Sequence, residues 1–247
     1  MESGIHISLS PSHIGDLWGL PITSTLLTSW LVVALLLAAA FVIGRSLVLV
    51  PGKGQVALEG MVGGILGYME ETLDDKALAR KYFPLVMTIF LFILCANLVS
   101  LLPFVGPLEV NTSHGPVPLF YSVNTDFNIP LALAIIAFIA IEFAGITVLG
   151  ALKYAHKFVN FKSVIGFIVG IIELISEVAR LLTFSFRLFG NIFAGKVLIL
   201  LALAFMPYLL PVPLLVYEVF VAVIQAAVFA LLTLFFIKIA VTPLAEH

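Results

Sequence analysis

Apolar residues dominate five stretches of the chain, at 22–43, 83–102, 129–150, 164–205 and 213–239. About 20 helical residues, rising 1.5 Å each, cross a hydrocarbon core of about 30 Å, so the pattern predicts five membrane helices. Between the first two, Leu58, Met61, Val62, Ile65, Leu66 and Met69 recur at i, i+3, i+4 spacing, while Glu59, Glu70 and Glu71 take other faces. This predicts an amphipathic helix over 55–72 that lies along the membrane interface instead of crossing it. A helix packed beneath the others would read the same way. The fourth stretch has 42 residues. A continuous helix of that length is about 63 Å long, roughly twice the core thickness. It must tilt steeply, or its first part must lie in the interface. Pro207, Pro211 and Pro213 force a turn before the last stretch. The expected fold is an all-α membrane protein: five membrane segments plus one interfacial amphipathic helix, the last two segments forming a long, steeply tilted antiparallel hairpin. The whole is one integral membrane domain with an outer head at 1–21.

Composition agrees with lipid as the solvent. The chain is 62% hydrophobic and 11% charged, and its mean hydropathy is +1.21, too apolar to cover the surface of a water-soluble domain of 247 residues. A net charge of -2 points to neither nucleic acid nor an acidic substrate. The single cysteine, Cys95, has no partner for a disulfide or a zinc site. No Lys or Arg precedes Arg45, which excludes the basic start of a signal peptide and the Arg-rich transit peptide, so the chain is expected to be mature and integral.

The connecting segments carry nine cations: Arg45, Lys53, Lys76, Arg80, Lys81, Lys153, Lys157, Lys162 and Lys238. With five spans they all fall on one side, which the positive-inside rule makes cytoplasmic. The N-terminus is then expected outside and the C-terminus inside.

Seven charges remain within the predicted spans: Glu142, Glu173, Glu177, Arg180, Arg187, Lys196 and Glu218. Each costs about 2.5–3.5 kcal/mol at a bilayer centre on insertion scales, so each needs a partner or a task. Glu173, Glu177 and Arg180 fall on one helical face at i, i+4 and i+7; Arg187 and then Asn191 continue the stripe. Arg180 is thereby expected to repel Arg187. Lys196, nine residues beyond Arg187, points the opposite way. In an antiparallel hairpin centred on the prolines, Lys196 comes opposite Glu218 and Arg187 opposite Gln225, predicting a Lys196–Glu218 neutralising pair. Arg187 has no equivalent mate. Its guanidinium stays charged, so it requires either a carboxylate from another molecule or Glu142 from another helix.

The run Arg187-Leu188-Phe189-Gly190-Asn191-Ile192-Phe193-Ala194-Gly195 resembles the signature of subunit a of F-type ATP synthases, the stator protein that faces the c-ring. The resemblance extends to Gln225, Glu173, Asn97 and Thr125-Asp126-Phe127-Asn128, and covers the chain from Phe83 onward. It implies that Arg187 stabilises the ionised carboxylate of the c-ring between two offset aqueous half-channels, with Asn191 and Gln225 beside it. It further implies that Lys196 and Glu218 line the outer half-channel and that Glu173 belongs to the inner exit. Glu142, Glu177, Asn97, Asp126 and Asn128 are further candidates; His114 and Asp126 either help collect protons on the outer loop or belong to an ordinary exposed loop, which is the expectation. The implied partners are the c-ring, the peripheral-stalk subunit b and the lipid bilayer, with no cofactor, metal or substrate beyond the translocated ion. The implied location is a bacterial plasma membrane or an organelle's energy-transducing membrane. The chain departs from the family pattern at Lys196, commonly Glu or His, at Glu218, often His, and at Arg180-Leu181, where Lys-Pro is common.

Two other classes compete. A secondary transporter would use the same acids as a proton relay but should show repeats or broken helices around a midplane site, and neither is visible. A scaffold explains the topology but not seven costly charges. An independent enzyme lacks a Ser/His/Asp constellation and metal-ligand spacing; His6, His13, His114, His156 and His247 all fall in the head, loops or tail.

Overall fold

The computed structural model describes residues 13–17, 19–102, 105–112, 115–158, 164–207 and 209–242. His6, His114, Lys162 and His247 lie outside the described residues, as do the side chains of His156 and Lys157. The element order is β1 (His13–Leu17), β2 (Leu20–Thr23), α1 (Ser24–Ser46), α2 (Lys53–Leu73), α3 (Lys76–Ser100), β3 (Glu109–Thr112), β4 (Gly115–Pro118), a 3-10 turn (Val123–Thr125), α4 (Asn128–Leu149), α5 (Ala151–Phe158), α6 (Val164–Phe205) and α7 (Pro211–Val241). Five of these helices, α1, α3, α4, α6 and α7, are long and apolar enough to cross a membrane. The protein is an all-α membrane protein.

Local chemistry sets the helix ends. The Thr23 side chain accepts a hydrogen bond from the Leu26 N–H at 3.3 Å, so α1 starts two residues after the apolar run does. Asp75 Oδ1 accepts from the N–H groups of Ala77 and Leu78, at 2.7 and 3.1 Å, and starts α3 at Lys76, two turns ahead of the apolar run at 83–102. Pro84 therefore lies inside α3. α7 opens on Pro211, where a missing N–H costs nothing because the first turn has no partner for it. α4 ends at Gly150, whose φ of 83° is the left-handed conformation of a helix C-terminus. The predicted helix at 55–72 is present as α2.

Contacts divide the chain into two compact units. The first comprises Met1–Leu49, Ile89–Pro130 and Arg187–Ala227. Its core gathers Val32 of α1, Ala96 and Val99 of α3, and Val123, all at most 7% exposed. Two antiparallel hairpins, β1–β2 and β3–β4, belong to it. Neither is evident from the periodicity, because each strand has only four or five residues. The Ser24 hydroxyl donates to the Pro118 carbonyl at 2.5 Å, the Thr25 hydroxyl to Asp126 Oδ2 at 2.9 Å, and the Tyr121 N–H to Thr28 Oγ1 at 3.0 Å. The start of α1 is thus bound to the segment preceding α4.

The second unit comprises Val50–Thr88, Leu131–Phe186 and Val228–His247. On α4, Ala134, Ala137, Ile141 and Ala144 are buried at i, i+3, i+7 and i+10, a seam of mostly small residues that lets helices approach closely in lipid. Phe184 of α6 stacks on Phe229 of α7 at 4.7 Å and meets Phe236 edge-on at 5.6 Å. Asp74 and Lys238 form an ion pair. Gly145 admits the Tyr154 ring, which a Cβ there would strike. Gly145→Ala should therefore overpack this site and lower stability by about 1–3 kcal/mol. A thermal midpoint equal to that of the unaltered protein in detergent would contradict this.

Candidate functional site

The signature segment divides its side chains by helical geometry. Leu188 and Ile192 are buried on α6, and Phe189 packs edge-on against Phe127 at 5.8 Å and stacks on Phe193 at 5.6 Å. That packing turns Arg187, half-buried, and Asn191 and Ala194, exposed, away from the buried seam. Among the described residues no ion pair involves Arg187. Gln225 of α7 is half-buried and shares no hydrogen bond with it among the described residues.

In the same unit a cavity of about 390 Å³ is lined by Asn97 and Ser100 of α3, Tyr121, Lys196 of α6 and Glu218 of α7, with leucines completing the wall. The register drawn from the prolines thus brings Lys196 and Glu218 to one cavity, yet among the described residues no ion pair joins them. The Lys196 Nζ instead lies over the Tyr121 ring, 3.7 Å from its centroid. The buried Glu218 carboxylate sits against Gly195, where a Cβ would collide with it. Tyr121 belongs to the connection between α3 and α4. Its burial pushes the phenol up from its ordinary value and keeps it neutral.

Polar groups continue from the cavity wall into the protein. Asn124 Nδ2 donates to Asn97 Oδ1 at 2.6 Å, and both residues are buried. Asn97 Nδ2, Ser122 Oγ and Asn124 Oδ1 are buried without a partner among the described residues. Asp126 Oδ1 accepts from the backbone N–H and the side-chain amide of Asn128, both at 3.0 Å, while its Oδ2 accepts from Thr25. Asp126 and Asn128 therefore fix the start of α4. Asp126 is buried, which leaves it no place on an exposed proton-collecting surface.

The second unit holds a separate charged cluster. Arg180 Nη1 donates to Glu177 Oε2 at 2.7 Å, with the side chains 13% and 3% exposed, and its guanidinium lies 4.1 Å from the Phe236 ring centroid. Glu177 and Arg180, expected on one helical face, form an ion pair at i, i+3 spacing, so the charge of Arg180 is compensated within its own helix. Tyr154, buried on α5, has its phenol pushed up by burial and then by the negative charge and hydrogen bond of Glu142, with a smaller contribution from Glu177. Glu142 thus stands beside Tyr154, and Glu173 is half-buried on α6. Tyr121, Tyr154 and Phe236 went unrecognised in the sequence, where no charge or spacing marks them.

The family model for the ATP synthase A chain matches residues 26–238. The chain belongs to this family. ATP synthase subunit a of Campylobacter fetus subsp. fetus (strain 82-40) is 31% identical over 217 residues, 88% of this chain and 89% of that protein. ATP synthase subunit a 3 of Pelobacter propionicus (strain DSM 2379 / NBRC 103807 / OttBd1) is 32% identical over 230 residues, covering 93% and 91%. The subunit a of Geobacter sulfurreducens (strain ATCC 51573 / DSM 12127 / PCA) is 31% identical over the same length and shares. With five apolar helices and bacterial relatives, this member of the A chain family is a multi-pass bacterial membrane protein of ATP synthesis and ion transport.

Proposed function

We propose that the chain is the ion-translocating stator subunit of a rotary F-type ATP synthase, coupling proton flow to rotation of a c-ring and so to ATP synthesis. The observation that carries this reading is the cavity where Asn97, Ser100, Tyr121, Lys196 and Glu218 meet, bordered by buried polar atoms of Asn97, Ser122 and Asn124. Such atoms bind ordered water. A recess that brings five polar side chains together on a largely apolar wall suits the outer of two half-channels, with Lys196 and Glu218 among them. Glu173, half-buried one helical turn before Glu177 on α6, suits the inner one.

Arg187 is the station between them. A carboxylate carried through lipid must be neutral, because burying the ion is prohibitive. It ionises only beside a compensating cation, and the outward-turned guanidinium provides one, with Asn191 and Gln225 as polar neighbours. Because the two openings are offset, a proton must ride the rotor from one to the other. The membrane potential supplies about 2.3 kcal/mol per charge per 100 mV for that journey. The c-ring and the peripheral-stalk subunit b are the protein partners in this reading. The distribution of the nine loop cations supports a cytoplasmic C-terminus and an N-terminus outside the plasma membrane. A steep tilt accommodates the 42 residues of α6, and α2 lies along the interface.

Glu218→Gln should slow ATP-driven acidification of inverted membrane vesicles by about tenfold, since an amide binds water but cannot exchange a proton. Subunit abundance should be unchanged by immunoblot. Unaltered flux would remove Glu218 from the path.

A further inference from the structure

We infer that Tyr121 is a positioning residue that holds the Lys196 ammonium away from Glu218, leaving the carboxylate available to take and release protons. The inference rests on the reading of this cavity as part of the ion path and adds a residue to it. Lys196 and Glu218 line one recess, carry opposite charges, and come from helices that meet in antiparallel register. A lysine has a four-carbon flexible stem, and direct pairing is the expected outcome for two such groups in an apolar bundle. The ammonium rests instead on the face of an aromatic ring.

The backbone that carries this ring is held in place. The Tyr121 N–H donates to Thr28 Oγ1 at 3.0 Å, and the Thr28 hydroxyl donates to the Ser24 carbonyl at 2.9 Å. Ser122 and Val123, the next two residues, are both at most 1% exposed. The backbone that carries the aromatic ring is thus anchored to α1, outside the two helices that carry the charges. Glu218 is seated from the other side, where Gly195 leaves space for its carboxylate against the backbone of α6. The remaining polar groups on the wall, Asn97 and Ser100 of α3, are neutral, so Tyr121, Lys196 and Glu218 are the titratable groups lining this recess among the described residues. An ammonium–carboxylate contact would lock Glu218 in its ionised form. A ring face compensates the ammonium without consuming the carboxylate.

The test uses the assembled ATP synthase in inverted membrane vesicles, with ATP-driven acidification and its pH profile as readouts and subunit abundance measured by immunoblot. Tyr121→Phe keeps the ring face and should retain most of the flux. Tyr121→Met, of similar volume but with no aromatic face, should lower it about tenfold and move the profile to lower pH, where a salt-bridged carboxylate can still be protonated. Adding Lys196→Gln to Tyr121→Met should recover most of the loss, since no ammonium remains to capture Glu218. A Tyr121→Met variant with full flux, or a double variant no faster than Tyr121→Met alone, overturns the positioning role. Glu218→Gln serves as the control on the underlying reading. If it leaves flux unaltered, the cavity is not on the path; if it slows flux while the tyrosine series behaves otherwise than stated, only the role of Tyr121 falls.

Discussion

Arg187→Ala should abolish ATP synthesis driven by a proton gradient while the subunit still inserts and assembles. The side chain contributes little to the core: Leu188 and Ile192 are buried, whereas Arg187 is only half-buried. Its removal therefore leaves the helix packed but takes away the charge. A rotor carboxylate that must ionise at the bilayer centre without a counter-charge loses at least about 2.5–3.5 kcal/mol, a factor of roughly 100 or more in the population of the ionised state. Arg187→Lys should fail nearly as badly, because an ammonium is more strongly hydrated and lacks the planar fork. Gradient-driven ADP phosphorylation in vesicles, normalised to the amount of assembled enzyme, decides the matter. A variant at full rate would end the assignment of Arg187 as the station between the half-channels.

The second large effect falls on stability. Glu177→Gln takes from the Arg180 guanidinium, 13% exposed, the carboxylate to which it is hydrogen-bonded, and breaking a buried pair from one side costs about 3–5 kcal/mol. Phe236 beneath Arg180 recovers only part of this, since a cation–π contact contributes about 0.5–2 kcal/mol. Replacing both charges with apolar residues, Glu177→Leu with Arg180→Leu, should restore most of the loss, because a buried pair and a packed apolar pair are often nearly equal in stability. Unfolding in mixed detergent micelles, followed by circular dichroism, measures all three. If the double variant is as unstable as the single one, the ion pair is not what the substitution disturbs.

Much of the architecture is legible in the order of residues. A run of twenty apolar side chains has few alternatives to a membrane helix, because lipid leaves no other partner for the backbone. The positions of α1, α4 and α6 follow directly, and Pro207 marks the turn before α7, whereas Pro211 and Pro213, expected in that turn, lie in the first turn of the helix, where a missing N–H is tolerated. The helix ends were harder to place, since Thr23, Asp75 and Asp126 act through hydrogen bonds that periodicity does not register. The hairpins β1–β2 and β3–β4 are too short to leave a pattern. The candidate site divides in the same way. Costly charges announce themselves, so Arg187, Lys196, Glu218 and Glu177 stand out against their apolar surroundings. What each one touches depends on packing. Lys196 meets a tyrosine from a loop 75 residues earlier, a contact to which the sequence gives no clue, and Arg180 settles on its own helix with Glu177. Tyr154 is not legible in the same way, because a single aromatic in a short cationic helix resembles any surface residue.

The links between α1 and the segment ahead of α4 bear on how the chain is made. Ser24, Thr25 and Thr28 reach partners 94, 101 and 93 residues further on. A first span emerging from the ribosome would carry these hydroxyls into the membrane long before Pro118, Asp126 and Tyr121 had been synthesised. Insertion of α1 and its final docking are therefore separate events in time. The nascent chain must shelter three polar side chains, in water near the headgroups or against the insertion machinery, until a hundred more residues arrive.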